Sequence, residues 1–370
     1  MTVSASVSKS DIAKALLGKD GHFQAYFEVY DALLDRGPRN VITQAQQEPG
    51  NPINHETVLA ATEIIKNNLM LTLDNVRHKI RRIPPYTYST DEVDFILEIA
   101  VQAMFMMDTN FSTSRGLGFI CGTYRPPSWS TNETFTDFAE RSFPLVATEK
   151  RRQVEAVLQD KKSLKAWKLK ERLGIDFRRT NNLADHLLFD QENSILYLFH
   201  HTAYLKAHLD SWYRLTGDGG KEVGVANALS RGMLCPRLLA ETLHSLQSIL
   251  FSHDDDRSMD LLKKKLIKKK GFDRSCALLE GYLPFNDDPD DFVYAYWGDR
   301  LTILHDLVRD RPPRTKFEKW IKWQTTERNF FLVAGLALII SAVVGVLSLV
   351  LAIFQSFIAW QAWKHPATTS

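Results

Sequence analysis

Residues 330–354, FFLVAGLALIISAVVGVLSLVLAIF, form an unbroken apolar run that limits what this chain can fold into more than any other feature. Seventeen of these 25 residues are Leu, Ile, Val or Phe, and the only polar side chains are the hydroxyls of Ser341 and Ser348. A helix rises about 1.5 Å per residue, so the run reaches roughly 37 Å and exceeds the roughly 30 Å hydrocarbon core of a bilayer. Its large apolar side chains favour insertion by about 0.3 to 0.6 kcal/mol each, roughly 5 to 10 kcal/mol together as an upper bound, because off-centre positions count for less. A core helix of a soluble protein seldom stays apolar on every face over such a length. The sequence therefore predicts one C-terminal transmembrane helix.

The uncharged stretch extends over 329–363, about 52 Å as a straight helix. That is too long for one crossing, and it lacks the Pro, Asn-Gly or charged break that a hairpin of two crossings needs. One span with an interfacial end fits, with Trp360 and Trp363 beside Gln355 and Gln361 at the level of the headgroups. On the other side, the segment 311–328 carries six cations, Arg311, Arg314, Lys316, Lys319, Lys322 and Arg328, whereas the tail 364–370 carries only Lys364 and His365. The positive side faces the cytosol, so the body of the chain is expected there. The first twenty or so residues lack the apolar core of a secretory signal peptide. These features predict a tail-anchored single-pass protein inserted after synthesis. Span length and the lone basic residue beyond it favour the endoplasmic reticulum or another secretory-pathway membrane over the mitochondrial outer membrane.

Other features bear on that topology. Cys121, Cys235 and Cys276 are widely spaced and odd in number, unlike the disulfide framework of an oxidising compartment. The sequons Asn110-Phe-Ser112 and Asn132-Glu-Thr134 would be modified in a lumen. With 46 Lys and Arg against 44 Asp and Glu, the formal net charge is +2 and gives no global drive toward nucleic acid, which is not an expected partner. The chain before the membrane is long enough for one large or two ordinary domains with a proper core.

Along that body the dominant period is helical. Thr90 or Ser89 with Glu92 makes a capping box before Val93, Ile96, Leu97, Val101 and Met104, which predicts a helix over about 90–107. Similar faces appear in Phe23, Tyr26, Phe27, Tyr30 and Leu34, across 59–80, and in Leu239, Leu243, Leu246 and Leu250 after Pro236 at a first-turn position. Breaks are expected at 37–54, 109–136, 216–224 and 286–291. The run 195–199 is too short to decide between strand and helix. The fold class is thus mainly α, a helical cytosolic body followed by one C-terminal transmembrane helix. Its expected parts are a helical N-terminal region 1–150, a helical second region 151–310, a basic and aromatic juxtamembrane segment 311–328, the span with its interfacial end 329–363, and the tail 364–370.

Two basic segments point to lipid. Lys263, Lys264, Lys265, Lys268, Lys269 and Lys270 follow Met259 and Leu262, so a helix would line Met259, Leu262 and Leu266 on one stripe and set Lys264, Lys265 and Lys268 opposite. Such a face suits an anionic lipid surface, each lysine contributing about 1 kcal/mol there. Phe317, Trp320 and Trp323 alternate with Lys316, Lys319 and Lys322 as an interfacial juxtamembrane helix would require. Within the span, Ala337, Ser341 and Gly345 recur every fourth residue and offer a small-residue seam for self-association.

Catalytic signatures are sparse. The G-x-S-x-G, H-E-x-x-H, C-x-x-C and EF-hand patterns do not occur, the glycines at 116–122 lack the third position of a dinucleotide-binding loop, and 216–221 lacks both the first glycine and the Ser or Thr of a P-loop. No cofactor is implied. Asp287, Asp288, Asp290 and Asp291 match no coordination loop and read as a solvated acidic turn. The remaining candidates are His186, His200, His201 and His208, with Asp185 beside the first and further His-Asp pairs at His253 and His305. Neutral imidazoles with carboxylates can hold a transition metal, which keeps a membrane-bound metal-dependent hydrolase as an alternative to an interaction or scaffold module.

The stretches TNNLADHLLFD (180–190), LFHHTAYLKAHL (198–209), LLAETLHSLQSIL (238–250) and the segment from WGDRLTILHDLVRD into the span, with AWQAWKHP near the end, resemble a group of C-terminally membrane-anchored proteins of filamentous fungi. The resemblance covers the second half of the chain. It implies a cytosolic domain on a C-terminal anchor and carries no activity, cofactor or site residue.

Overall fold

The computed structural model describes residues 8–21, 23–37, 53–111, 124, 126–216, 225–278, 294–310 and 327–364, and for 327–337, 362 and 363 the backbone alone. The chain separates into two compact units, Met1–Arg309 and Asp310–Ser370. The architecture is mainly α. In chain order the helices α1 (Lys9–Leu17), α2 (Gln24–Leu34), α3 (His55–Lys66), α4 (Leu73–Ile80), α5 (Thr90–Phe105), α6 (Phe135–Ser142), α7 (Arg151–Gln159) and the short α8 (Ala166–Lys168) precede three strands, β1 (Asp176–Thr180), β2 (Leu188–Asp190) and β3 (Ile195–Phe199). Then come α9 (Thr202–Thr216), α10 (Val225–Ser230), α11 (Pro236–His244), α12 (Asp256–Leu261), the short α13 (Lys268–Lys270) and α14 (Gly298–Arg309).

The first unit is organised on α5. Its start is the capping box read from the sequence: Ser89 Oγ accepts from the Glu92 amide, and Glu92 Oε2 accepts from the Ser89 amide at 2.7 Å. Its interior buries Val93, Ile96, Leu97, Val101 and Met104 as the spacing predicts, and Phe95, Ile99 and Phe105 besides, so α5 is apolar on nearly every side. The helix ends two residues earlier than expected because Met106 turns into the left-handed region at φ 50°. Two buried tyrosines then take up carbonyls that a helix end leaves without partners: Tyr26 donates to Ala103 O at 2.7 Å and Tyr204 to Met104 O at 2.9 Å. Those bonds fix α2 and α9 on one helix end. Arg77 grips Asp94 with two hydrogen bonds, at 2.6 and 2.9 Å, and ties α4 to α5.

The remaining helical expectations hold with one division. Phe23, Tyr26, Phe27 and Tyr30 are buried on and before α2, and Pro236 opens α11 at the first turn. The face expected across 59–80 is shared by α3 and α4, which a turn after Asn67 separates. The breaks expected at 37–54, 216–224 and 286–291 fall largely outside the described residues, whereas the described residues of 109–136 are free of helix up to Thr134, and α6 begins at Phe135, two residues before the expected end of that break.

The run 195–199 is the central strand of a small sheet of order β1-β3-β2, with β1 parallel and β2 antiparallel to it. Leu196, Tyr197, Leu198 and Phe199 are all buried, so both faces of β3 are covered and no period of two survives in the sequence. A single hydrophobic cluster runs from Ile12 through α5 and the sheet to Leu304, drawing on both stretches 1–150 and 151–310.

The second unit is described from Glu327 as one helix, Glu327–Lys364. Within it Leu338–Gln361 is long and apolar enough to cross a membrane, with a mean hydropathy of 2.6 and none of it buried within the chain. Ser348 Oγ donates to Val344 O at 2.9 Å, so its hydroxyl is satisfied within the helix. The helix continues without a break through the expected interfacial end. There the Phe357 and Trp360 rings lie 6.2 Å apart and Lys364 Nζ sits 4.8 Å from the Trp360 centroid.

Candidate functional site

The four histidines singled out by sequence are all buried, at 0 or 1% exposure, and their partners decide what they can do. At His186 the Phe199 amide donates to Nδ1 at 3.2 Å, which leaves the proton on Nε2, 2.7 Å from Ser245 Oγ. The Ser245 hydroxyl in turn donates to Thr242 O at 2.7 Å. The ring therefore joins β3 to the continuation of α11. At His200 the Asp273 amide donates to Nδ1 at 3.0 Å, and Nε2 donates to Asn181 Oδ1 at 3.1 Å. His201 Nε2 donates to the same oxygen at 2.9 Å, with the two rings 4.0 Å apart. His208 packs 4.3 Å from the Tyr204 ring, and neither of its nitrogens has a hydrogen-bond partner.

A metal binds the lone pair of a neutral imidazole, and at His186 and His200 that lone pair already accepts a backbone amide. Among the described residues no group of three His, Cys, Asp or Glu side chains is placed to hold a metal ion. In the neighbouring His-Asp pairs, His305 Nε2 faces Asp160 at 3.1 Å, and Asp185 Oδ2 accepts from Thr180 Oγ1 at 3.2 Å. The histidine cluster thus differs from the metal centre its spacing invited. It is a set of neutral, inward-facing rings that hold the second half of the body together.

Burial sets their ionisation. It pushes His200 and His208 down to about 3 and His244 down to about 4, with Arg179 adding to the effect at His200 and Lys161 at His244. His186 and His201 lie well below the usual range for the same first reason, aided by Arg300 and by His200 respectively.

One residue of comparable weight escaped the sequence reading. Glu241 on α11 is fully buried, and its carboxylate accepts from the amides of Ala295, Tyr296 and Trp297 at 2.5, 2.8 and 3.1 Å. Those are the last amides before α14, so a carboxylate 54 to 56 residues away holds the entry to that helix. Burial pushes the group up to about 7 against the pull of the three amides and of Arg237. A charge among Leu238, Leu239 and Leu243 was the available signal, since a carboxylate on an apolar face needs a partner.

A cavity of about 330 Å³ opens between α6 and α11, walled by Phe143, Leu145, Leu234, Leu238, Cys235 and Tyr296. Its walls are mainly apolar, with one thiol, one phenol and the carboxylate-bearing Glu140. Both Cys235 and Cys276 are buried free thiols, and Cys276 donates to His200 O at 3.0 Å.

The lysine segment is more specific than its sequence. Met259, Leu262 and Leu266 are buried, as the expected stripe requires. Between α12 and α13 the helix widens into a π turn over Leu262–Ile267, which accommodates three successive outward lysines, Lys263, Lys264 and Lys265. Lys268 and Lys269 are also exposed. Lys270 departs from the set: its Nζ lies 2.5 Å from Asp176 Oδ2 and 2.9 Å from Phe177 O, so it clasps β1 and is not offered to a surface.

Of the membrane-interface candidates, Trp360 is exposed on the C-terminal helix, and Trp363 lies on its backbone. Phe317, Trp320 and Trp323 lie outside the described residues. Ser341 and Gly345 are exposed on one face with Ala337 in register, and nothing lies within 4 Å of the space where a side chain at Gly345 would begin. Comparison of the chain with protein-family models, with curated proteins and with solved structures returns no match.

Proposed function

We propose that this chain is a single-pass membrane protein whose helical body is held at the cytosolic face of a bilayer and works there as an interaction or scaffold module. The all-round apolar surface of Leu338–Gln361 carries the proposal. An isolated helix of that composition has no stable place in water, and a bilayer satisfies its side chains and needs nothing more from its backbone. The six cations of 311–328 against Lys364 beyond the span support a cytosolic body. So do Cys235 and Cys276, which are free thiols in the core. Secretory-pathway membranes fit the length of the span best. The seam of Ala337, Ser341 and Gly345 supports close approach of a second copy within the bilayer.

Topology is tested on sealed microsomes carrying the full chain. Added protease should digest the body, and deglycosylation should leave its mobility unchanged despite the exposed sequon at Asn132. A protected body, or a mobility shift on deglycosylation, would place it in the lumen and overturn the proposed orientation.

A further inference from the structure

The body carries a second feature suited to a bilayer, and it emerges only when two distant segments fold together. The helix that begins as α8 continues as a π turn, Leu169–Leu173, and packs beside α12. The Trp167 amide donates to Ser258 Oγ at 3.2 Å, which fixes the two starts against each other. At the other end Asp176 binds Lys170 at 3.1 Å and Lys270 at 2.5 Å, bracketing both segments on β1. This arrangement surrounds the half-buried Trp167 ring with three cations: Arg257 lies 4.8 Å from its centroid, Lys168 5.8 Å and Arg172 5.9 Å. Farther along the helix that carries Arg257, Lys263, Lys264, Lys265, Lys268 and Lys269 are exposed.

The cations of this surface outnumber its ion pairs. Lys264 pairs with Asp260 at 2.7 Å, but among the described residues Arg172, Arg257, Lys263, Lys265, Lys268 and Lys269 pair with no carboxylate. The acidic residues nearest to them are Glu171, Asp256 and Asp260 within the two segments and Asp254 and Asp255 just before α12, where Asp255 Oδ2 accepts from Ser258 Oγ at 2.6 Å. A chain of net charge +2 has thus gathered Arg257, Lys168 and Arg172 around one aromatic ring and set a run of exposed lysines farther along the helix that carries Arg257. Unpaired surface cations repel one another and are tolerated where they meet a polyanion. A tryptophan among them suits a headgroup layer, where its ring meets apolar matter and its N–H meets water.

We propose that the surface formed by Trp167, Arg257 and the lysines 263–269 docks on anionic phospholipid headgroups of the membrane that holds the C-terminal helix. The proposal rests on the tethering function above, because a body anchored to a bilayer through its own chain meets that surface at high effective concentration. Docking would fix which side of the body is turned away from the lipid toward partners.

The test uses the full chain reconstituted into vesicles of phosphatidylcholine alone and of phosphatidylcholine with phosphatidylserine. Lysines are acetylated with an N-hydroxysuccinimide ester and read by peptide mass spectrometry. Labelling of Lys263, Lys265, Lys268 and Lys269 should slow by about fivefold or more in the anionic vesicles and recover at high salt, with exposed Lys14 unchanged. The double variant Arg257→Glu with Lys265→Glu, whose sites are solvent-exposed, should fold normally by circular dichroism and lose the protection at the remaining lysines. Equal labelling in the two vesicle types overturns the proposal. So does protection conferred by added single-stranded RNA in neutral vesicles but not by phosphatidylserine, which would assign the surface to nucleic acid. A chain that fails to float with either vesicle type defeats the tethering function itself, whereas one that floats with both and shows no difference in labelling defeats the docking surface alone.

Discussion

Lowering the pH from neutrality to about 5 should unfold the helical body, and the cause is its buried histidines. His186, His200, His201, His208 and His244 all have folded values depressed by burial. The sign follows from linkage. Above about pH 6.5 the rings are neutral in both states and cost nothing; below it the unfolded chain binds protons that the folded chain refuses. Each ring removes about 1.4 kcal/mol per pH unit, so five remove roughly 7 kcal/mol per unit until their folded values are reached. Glu241, raised to about 7, acts in the opposite sense, because its contribution is full below its unfolded value and is lost as pH rises through 7. It offsets roughly one ring's worth between about pH 4.5 and 7. The remainder still exceeds a typical domain stability of about 5 to 15 kcal/mol within a few units. Far-UV circular dichroism of the chain in mild detergent, melted at a series of pH values, measures it: the melting temperature should fall steeply below about pH 6.5. A flat profile down to about pH 4.5 would show that these rings titrate normally. His208→Phe should make the net slope shallower by about one quarter and raise stability at neutral pH, because it removes two buried nitrogens without partners.

The second large effect is at Glu241. Its removal in Glu241→Ala strands the amides of Ala295, Tyr296 and Trp297 around a fully buried side-chain position. An unsatisfied buried donor costs about 1 to 3 kcal/mol, so a loss of roughly 3 to 5 kcal/mol is expected after partial relaxation. Glu241→Gln keeps one acceptor oxygen and should cost roughly half as much. Urea denaturation reads both losses, and hydrogen exchange should show residues 294–309 losing protection first. If Glu241→Ala unfolds at the same urea concentration as the parent, the carboxylate does not hold α14.

How much of this was legible in sequence depends on how local each cause is. The start of α5 was readable because Ser89 and Glu92 are three residues apart, and α11 because Pro236 marks its first turn. The apolar span was readable because a bilayer imposes length and composition on one continuous segment. The strands were not: β2 is three residues long, and β1, an edge strand, reads DFRRT with Arg178 and Arg179 both exposed. The histidines were visible as a group, but their chemistry is set by Asn181, Ser245 and the amides of Phe199 and Asp273. The cations around Trp167 were hidden for a similar reason, since Arg257 arrives from a segment 90 residues later. The lysine run was legible as a charged face. That Lys270 turns inward to Asp176 was not, because nothing near it in sequence announces β1.

The proposal stands or falls on the C-terminal helix, and alkaline carbonate extraction tests it directly. High pH strips proteins held by charge, including any held through the lysines of 263–269, and leaves integral proteins in the pellet. Membranes from cells expressing the full chain should retain it after extraction, and the same chain lacking Glu327–Lys364 should be released entirely into the supernatant. Release of the full chain by carbonate would contradict the assignment of Leu338–Gln361 as a membrane span.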